Sequence, residues 1–471
     1  MNSTKSRTKK QEKKVNIIQI HEVVGKCDKI MREKKAVTWR EAEVGCSFTQ
    51  DDKIALVDDK TLVIGGDIGS VKHNFRAFNC RGREFSKKPL EIENTEKGFT
   101  TLEQWILSIK ESSQMEKVIV GMEPTGHYWL NIGSWLIKKG FTVVLVNPHH
   151  VKKSKELDDN LNKKTDRKDP KVIAGLVHEG RYSIPYIASG VYAELRSLSR
   201  IRLNNTEEQT RAMNRLKRWF SIHFPEYPTV YKQLDAKGSI LLLKKAALPE
   251  EIEKLGSLEI NEIWREEKLR SVGLGKAVEI VSAAQRSIGS TEDPEAARIE
   301  MDWLIGQIEY YKSKEAEIEA KIEEISKKIP NIDKVLKIKG VGLKTVAAIV
   351  AEIGDITRFN NAKQIQKLAG LALVEDSSGK HEGRTIISKR GRKRLRYQLY
   401  MAALQLTGHN DEFGTIHESY KTRTENPLKK MQSLMAVACK YIRVIYAILS
   451  KGIDYDPEKM IKDIKYLHNA A

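Results

Sequence analysis

The chain has 471 residues, enough for two or three domains with real hydrophobic cores, and it carries 82 lysines and arginines against 63 aspartates and glutamates. The resulting net charge of +19 favours a polyanionic partner. No uninterrupted apolar run is read as a membrane span, and the basic start MNSTKSRTKKQEKK lacks the apolar core of a signal peptide, which argues against membrane and secreted classes.

Residues 1–60 are charged and irregular and read as a basic N-terminal extension, a solvated tail with one short amphipathic helix around 17–34. Strands and helices then alternate. TLVIGGDIG is a buried strand ending in glycines, HNFRAFNCRGREF a hairpin turning at NCRGR, and FTTLEQWILSIKES an amphipathic helix starting near Thr100–Thr101. KVIVGMEPTG is a second buried strand, YWLNIGSWLIKKG a helix closed by Gly140, and FTVVLVNP a third strand. This alternation predicts an α/β layer over 61–185.

Residues 186–330 read as helical. From Leu304 a seam runs through Ile308, Tyr311, Glu315, Ile318, Ile322, Ile325 and Ile329 in alternating steps of four and three, a coiled-coil pattern with its partner helix in cis or in a second chain. Residues 331–450 form a further helical unit and 451–471 a polar tail. The four cysteines, Cys27, Cys46, Cys80 and Cys439, match neither a metal knuckle nor a disulfide framework and read as free thiols in a reducing cytoplasm.

Three constellations carry chemistry. Asp67 and Glu123 each close a short apolar run, and Asp166 and Asp169 follow in KTDRKD. Converging carboxylates repel unless a cation lies between them, so the set predicts bound Mg²⁺ or Mn²⁺. Asp169, followed by Pro170, also reads as a helix N-cap. The second is Gly340-Val341-Gly342-Leu343-Lys344-Thr345, a helix–hairpin–helix turn whose backbone amides could seat a phosphate, or simply a tight turn. The third is basic: seven of the thirteen residues from Arg384 to Arg396 are cationic, including Lys389, Arg390, Arg392 and Arg394, next to the turn Ser377-Ser378-Gly379. Phosphate is the best partner for that run, and a serine beside it is a candidate nucleophile on phosphorus.

GGDIGSVKHNF, VGMEPTGHYW, VNPHHVKKSK and KKTDRKDPKVIA resemble, in order, the N-terminal half of the DEDD transposases. IKGVGLKTVAAIVAEIGDITRFNNAKQIQKLAGLAL, SSGK and ISKRGRKRLR resemble their C-terminal domain. The resemblance spans about 61 to 450. It implies a RuvC-like domain of the RNase H type with Asp67, Glu123, Asp166 and Asp169 as a metal-binding tetrad. It also implies a serine nucleophile, best matched by Ser378 with Ser377 and Ser388 as rivals, that links covalently to DNA. Dimers pairing into tetramers, and in some relatives a structured bridge RNA that pairs with donor and target DNA, follow from the same resemblance. The Arg-rich segment containing Arg196, Arg200, Arg211, Arg215 and Arg218 would contact that RNA. Pro170 stands where the family usually has alanine. A Holliday-junction nuclease that uses water, or a non-catalytic nucleic-acid scaffold, are the competing readings.

Overall fold

A computed structural model describes residues 49–86, 88–158, 169–290, 292–374 and 385–462. Asp166, Ser377, Ser378, Cys27, Cys46 and the expected 17–34 helix lie outside these residues. The described chain is α/β followed by helical structure, and it forms two compact units, one over residues up to 187 with 357–360, the other over 188–356 and 361 onward.

The first unit is built on a six-stranded mixed sheet. Its strands are β1 (Thr61–Ile68), β2 (Lys72–Phe78), β3 (Leu90–Glu93), β4 (Lys117–Met122), β5 (Thr142–Val146) and β6 (Tyr182–Ser183), in the order β3-β2-β1-β4-β5-β6. β1, β4 and β5 run parallel, while β2, β3 and β6 are antiparallel to their neighbours. The parallel strands lie in the middle and are nearly continuous apolar runs, as strands covered on both faces must be. One face packs Leu62, Ile64, Phe75 and Val120 against Leu102, Ile106, Ile132 and Leu136 of two helices. The other packs Val63, Ile119 and Val144 against Val172, Ile173 and Val177 of the helix Asp169–His178.

Two expectations are corrected here. The first long helix starts at Glu96, not near Thr100–Thr101. Thr95 caps it by accepting from the Gly98 N–H at 3.2 Å, and the hydroxyls of Thr100 and Thr101 donate back to the carbonyls of Glu96 and Lys97. The hairpin after β2 returns only as a single bridge, Phe78 to Glu84, and the true neighbours of β2 are β1 and the short edge strand β3.

In the second unit the helices Gly190–His223 and Pro294–Ser326 pack side by side. Trp219 Nε1 donates to the Ala297 carbonyl at 2.9 Å, Asn205 Nδ2 to the Tyr311 carbonyl at 2.9 Å, and Arg202 meets Glu315 and Glu319, so the pair is antiparallel. The partner of the 304–329 seam is therefore in cis. The aromatic rings of Phe220, Tyr227 and Tyr231 stack in series beside it, at 4.8 and 5.9 Å between centroids, within one core that includes Trp264, Leu304 and Ile308.

Between the two long helices lie Tyr227–Val230, Lys237–Lys245, Pro249–Glu266 and Leu274–Gln285; after them, the described α-helices are Ile332–Leu336, Leu343–Ile353, Ala362–Leu368, Lys393–His409, Asp411–Thr422 and Lys430–Lys451, with a small hairpin of β7 (Leu373–Val374) and β8 (Ile386–Ile387). Lys430–Lys451 corrects the reading that no segment is long and apolar enough for a span: by length and composition it qualifies, and half of its most apolar window is buried. Leu434, Val437, Tyr441, Ile445 and Ile448 are the face it turns inward, and it packs on the helices Lys393–His409 and Asp411–Thr422. Among the described cysteines, Cys80 and Cys439 are free thiols.

Candidate active site

Two glycines organise the acids. Gly65 and Gly121 are direct partners across the parallel β1–β4 pair. A side chain on Gly65 would meet the Pro170 carbonyl oxygen at 1.8 Å, and one on Gly121 would meet Val177 Cγ2 at 2.6 Å. The helix Asp169–His178 thus lies directly on the sheet, its first turn over Gly65. Strand side chains alternate, so Asp67 and Glu123, two residues beyond the glycines, point to the face this helix covers. Gly66 pairs with Met122 as the last pair of this ladder, and Asp67 and Glu123 are the residues that follow. Pro170 fits the first turn of the helix, and Asp169 is its first residue.

The electrostatics link Glu123, Lys155 and Asp169. Burial raises the Glu123 carboxyl above the ordinary glutamate value; the nearby Lys155 ammonium opposes that, and the Asp169 carboxylate adds to it. Lys155, on the helix Pro148–Asp158, is hydrogen-bonded and ion-paired to Asp169, whose side chain is 15% exposed. Lys155 lies in the VKKSK stretch, and its signal in the sequence is a lysine fourteen residues before the last acid. Oxygen donors of this kind suit Mg²⁺ or Mn²⁺. Among the described residues, however, no three His, Cys, Asp or Glu side chains are grouped to hold a metal ion. Among the described residues, Lys155 is a positive charge that faces Asp169.

The basic residues of the second unit divide into two kinds. Arg200, Arg211, Arg215 and Arg218 are exposed along the helix Gly190–His223. Arg196 instead turns to Glu352, 4.0 Å away, and Arg392 reaches the same carboxylate at 3.7 Å. These two arginines hold three segments together around one acid. Lys389, Arg390 and Arg394 are exposed. Gly340 adopts a φ of +98°, and Gly342 caps the helix Leu343–Ile353, its carbonyl accepting from the Thr345 and Val346 N–H groups. Lys344 pairs with Glu319 at 2.5 Å and Thr345 lies 3.4 Å from Gln405 Oε1. Ser388 follows β8, its N–H donating to the Ala372 carbonyl.

Two family models match the chain. DEDD_Tnp_IS110, a transposase model, covers residues 64–225, and the transposase IS116/IS110/IS902 family model covers 333–418, together just over half of the sequence. The chain belongs to the IS110 family of DEDD transposases. It is 24% identical over 388 residues to the insertion element IS116 44.8 kDa protein of Streptomyces clavuligerus, covering 82% of this chain and 94% of that one. A transposase of insertion sequence IS1111A from Coxiella burnetii is 28% identical over 29% of this chain and 38% of its own length. The pilin gene-inverting protein of Moraxella bovis is 28% identical over 25% of this chain and 37% of its own. The protein is a DNA transposase of the insertion-element kind, and its acids at β1, β4 and the Asp169–His178 helix all fall within the first matched region.

Proposed function

We propose that this transposase cuts and rejoins DNA by transesterification at a serine, with Asp67, Glu123, Asp166 and Asp169 as the acidic half of the reaction centre on a RuvC-like sheet of the RNase H type. What supports the reading most is that Asp67 and Glu123 follow the last paired residues of β1 and β4, on the sheet face covered by the helix that Asp169 begins.

Ser378 is the proposed nucleophile. Its Oγ bonds to phosphorus as the bond from phosphorus to one sugar oxygen breaks, and the serine proton ends on the released sugar hydroxyl. Attack by the hydroxyl of another strand reverses the exchange, frees the serine and leaves a joined strand. The four carboxylates would hold Mg²⁺ or Mn²⁺, which when bound draws charge from the reacting phosphate and its leaving oxygen. Lys389, Arg390 and Arg394 grip the DNA backbone, and the amides from Gly340 to Lys344 seat a second phosphate. A structured guide RNA binds the exposed arginines of the Gly190–His223 helix, and the chain works in the cytoplasm as a dimer that pairs into a tetramer.

The test is a denaturation-resistant protein–DNA adduct. Wild type with Mg²⁺ should form it, and Ser378→Ala should lose both the adduct and strand exchange. Asp67→Asn and chelation of divalent ions should abolish exchange while RNA binding persists. An active Ser378→Ala protein, or cleavage with no adduct, would assign the chemistry to water instead.

A further inference from the structure

The antiparallel helices Gly190–His223 and Pro294–Ser326 present two different chemistries side by side on their outward faces. On the first, Arg211, Arg215 and Arg218 recur in steps of four and three, all exposed. On the second, Ile299, Trp303 and Tyr310 recur in steps of four and seven and are 70%, 53% and 58% exposed. The two faces touch: the Arg215 guanidinium lies over the Trp303 ring, 5.5 Å from its centroid. Gly306 lies between the two aromatics, with open space where a side chain would project. Large aromatics left in water beside cations are the features from which base-stacking surfaces are made.

We propose that this face binds unpaired bases of an RNA, with Trp303 and Tyr310 as stacking platforms and the three arginines on the phosphates. The inference rests on the RNA-guided reading above and deepens it. Seven residues of helix place the two rings about 10 Å apart along the axis. At roughly 3.4 Å per stacked base, that span suits a run of three or four nucleotides passing over Gly306. Duplex DNA offers no free base faces to such a surface, whereas RNA loops do. A second copy of the chain is the poorer occupant, since a two-fold contact would bury the arginines of both copies in one interface with no matching excess of acids. Acids border the stripe at Glu295 and Glu300, Glu208 is paired with Arg211, which a phosphate would have to displace, and Asp302 is held by Arg298 at 3.1 Å.

The experiment uses the full-length protein and a fluorescein-labelled oligoadenylate of about twenty nucleotides, with its DNA counterpart and a fully paired RNA duplex as comparators. Trp303→Ala and Tyr310→Ala should each weaken single-stranded RNA binding roughly ten- to a hundredfold. Trp303→Phe should keep most of the affinity, and duplex RNA should bind all of them alike. Photocrosslinking of 4-thiouridine RNA should mark the peptide containing Trp303 in wild type. RNA binding that is unchanged in both alanine variants overturns the proposal. So does equal, Trp303-dependent binding of the DNA oligomer, or a Trp303→Ala protein whose only change is in oligomeric state. A wild-type protein that binds no RNA at all would overturn the guide-RNA reading itself.

Discussion

Single residues differ sharply in what they can tolerate, and the two glycines beneath the Asp169–His178 helix illustrate it. A methyl on Gly65 collides with backbone, the Pro170 carbonyl at 1.8 Å, whereas one on Gly121 collides with the tip of a valine side chain. Gly65→Ala should cost more than about 3 kcal/mol or prevent folding, and Gly121→Ala only about 1–2 kcal/mol, a contrast that urea denaturation of both variants would measure. Lys155 is the second case. Lys155→Met leaves Asp169 without its cation in a mostly buried position, for an expected loss of about 1 kcal/mol once the partial exposure of the lysine is allowed for. Adding Asp169→Asn should recover much of it in a double-mutant cycle. His417 is the third. It is buried, its Nδ1 is 2.7 Å from Ser433 Oγ, and burial holds it below the ordinary histidine value, with Lys421 and Lys430 adding to that and Glu418 opposing it. A lowered histidine takes up its proton more readily in the unfolded chain. Its contribution is therefore present above about pH 6.5 and is lost as the pH falls towards the folded-state value. The melting temperature should drop on acidification through that window, and His417→Gln should flatten the slope.

At the scale of elements, hydrogen bonds to buried groups set how the long helices pair. Trp219 is 1% exposed and donates to Ala297 across the helix interface. Trp219→Phe should lose about 2–3 kcal/mol, through that bond and the volume the smaller ring leaves unfilled, measurable by chemical denaturation. The Lys430–Lys451 helix teaches a related lesson. Its composition would suit lipid, yet its apolar stripe is used against neighbouring helices, while Lys440 and Arg443 lie outside the buried face.

For the molecule as a whole, a net charge of +19 makes nucleic-acid affinity a salt-dependent quantity. If six or more phosphates are neutralised, affinity should fall about a thousandfold between 50 and 200 mM salt, and the logarithmic slope in a titration counts the contacts. The two family-matched regions leave residues 226–332 between them; much of the helical core around Trp264 and Tyr227 falls in that interval, while Leu216, Trp219 and Phe220 of the same core lie in the first matched region.

Local order in the chain was enough to specify β1, β4 and β5, because strands covered on both faces must be continuous apolar runs, and enough to mark Asp67 and Glu123 at the ends of two of them. The heptad steps announced the Pro294–Ser326 helix in the same way. Strand β3 was illegible, since four residues at a sheet edge carry almost no periodic signal. The start of the first long helix is not legible in the sequence because Thr95, Thr100 and Thr101 are all plausible caps until a chain neighbour, here the Glu93 backbone against Gly98, selects one. Contacts between distant segments belong to the folded state alone: Lys155 on Asp169, Arg196 and Arg392 on one glutamate, Arg215 on Trp303. Side chains of one charge type look alike in a sequence, and which of them face a partner rather than water depends on packing that brings together residues far apart along the chain.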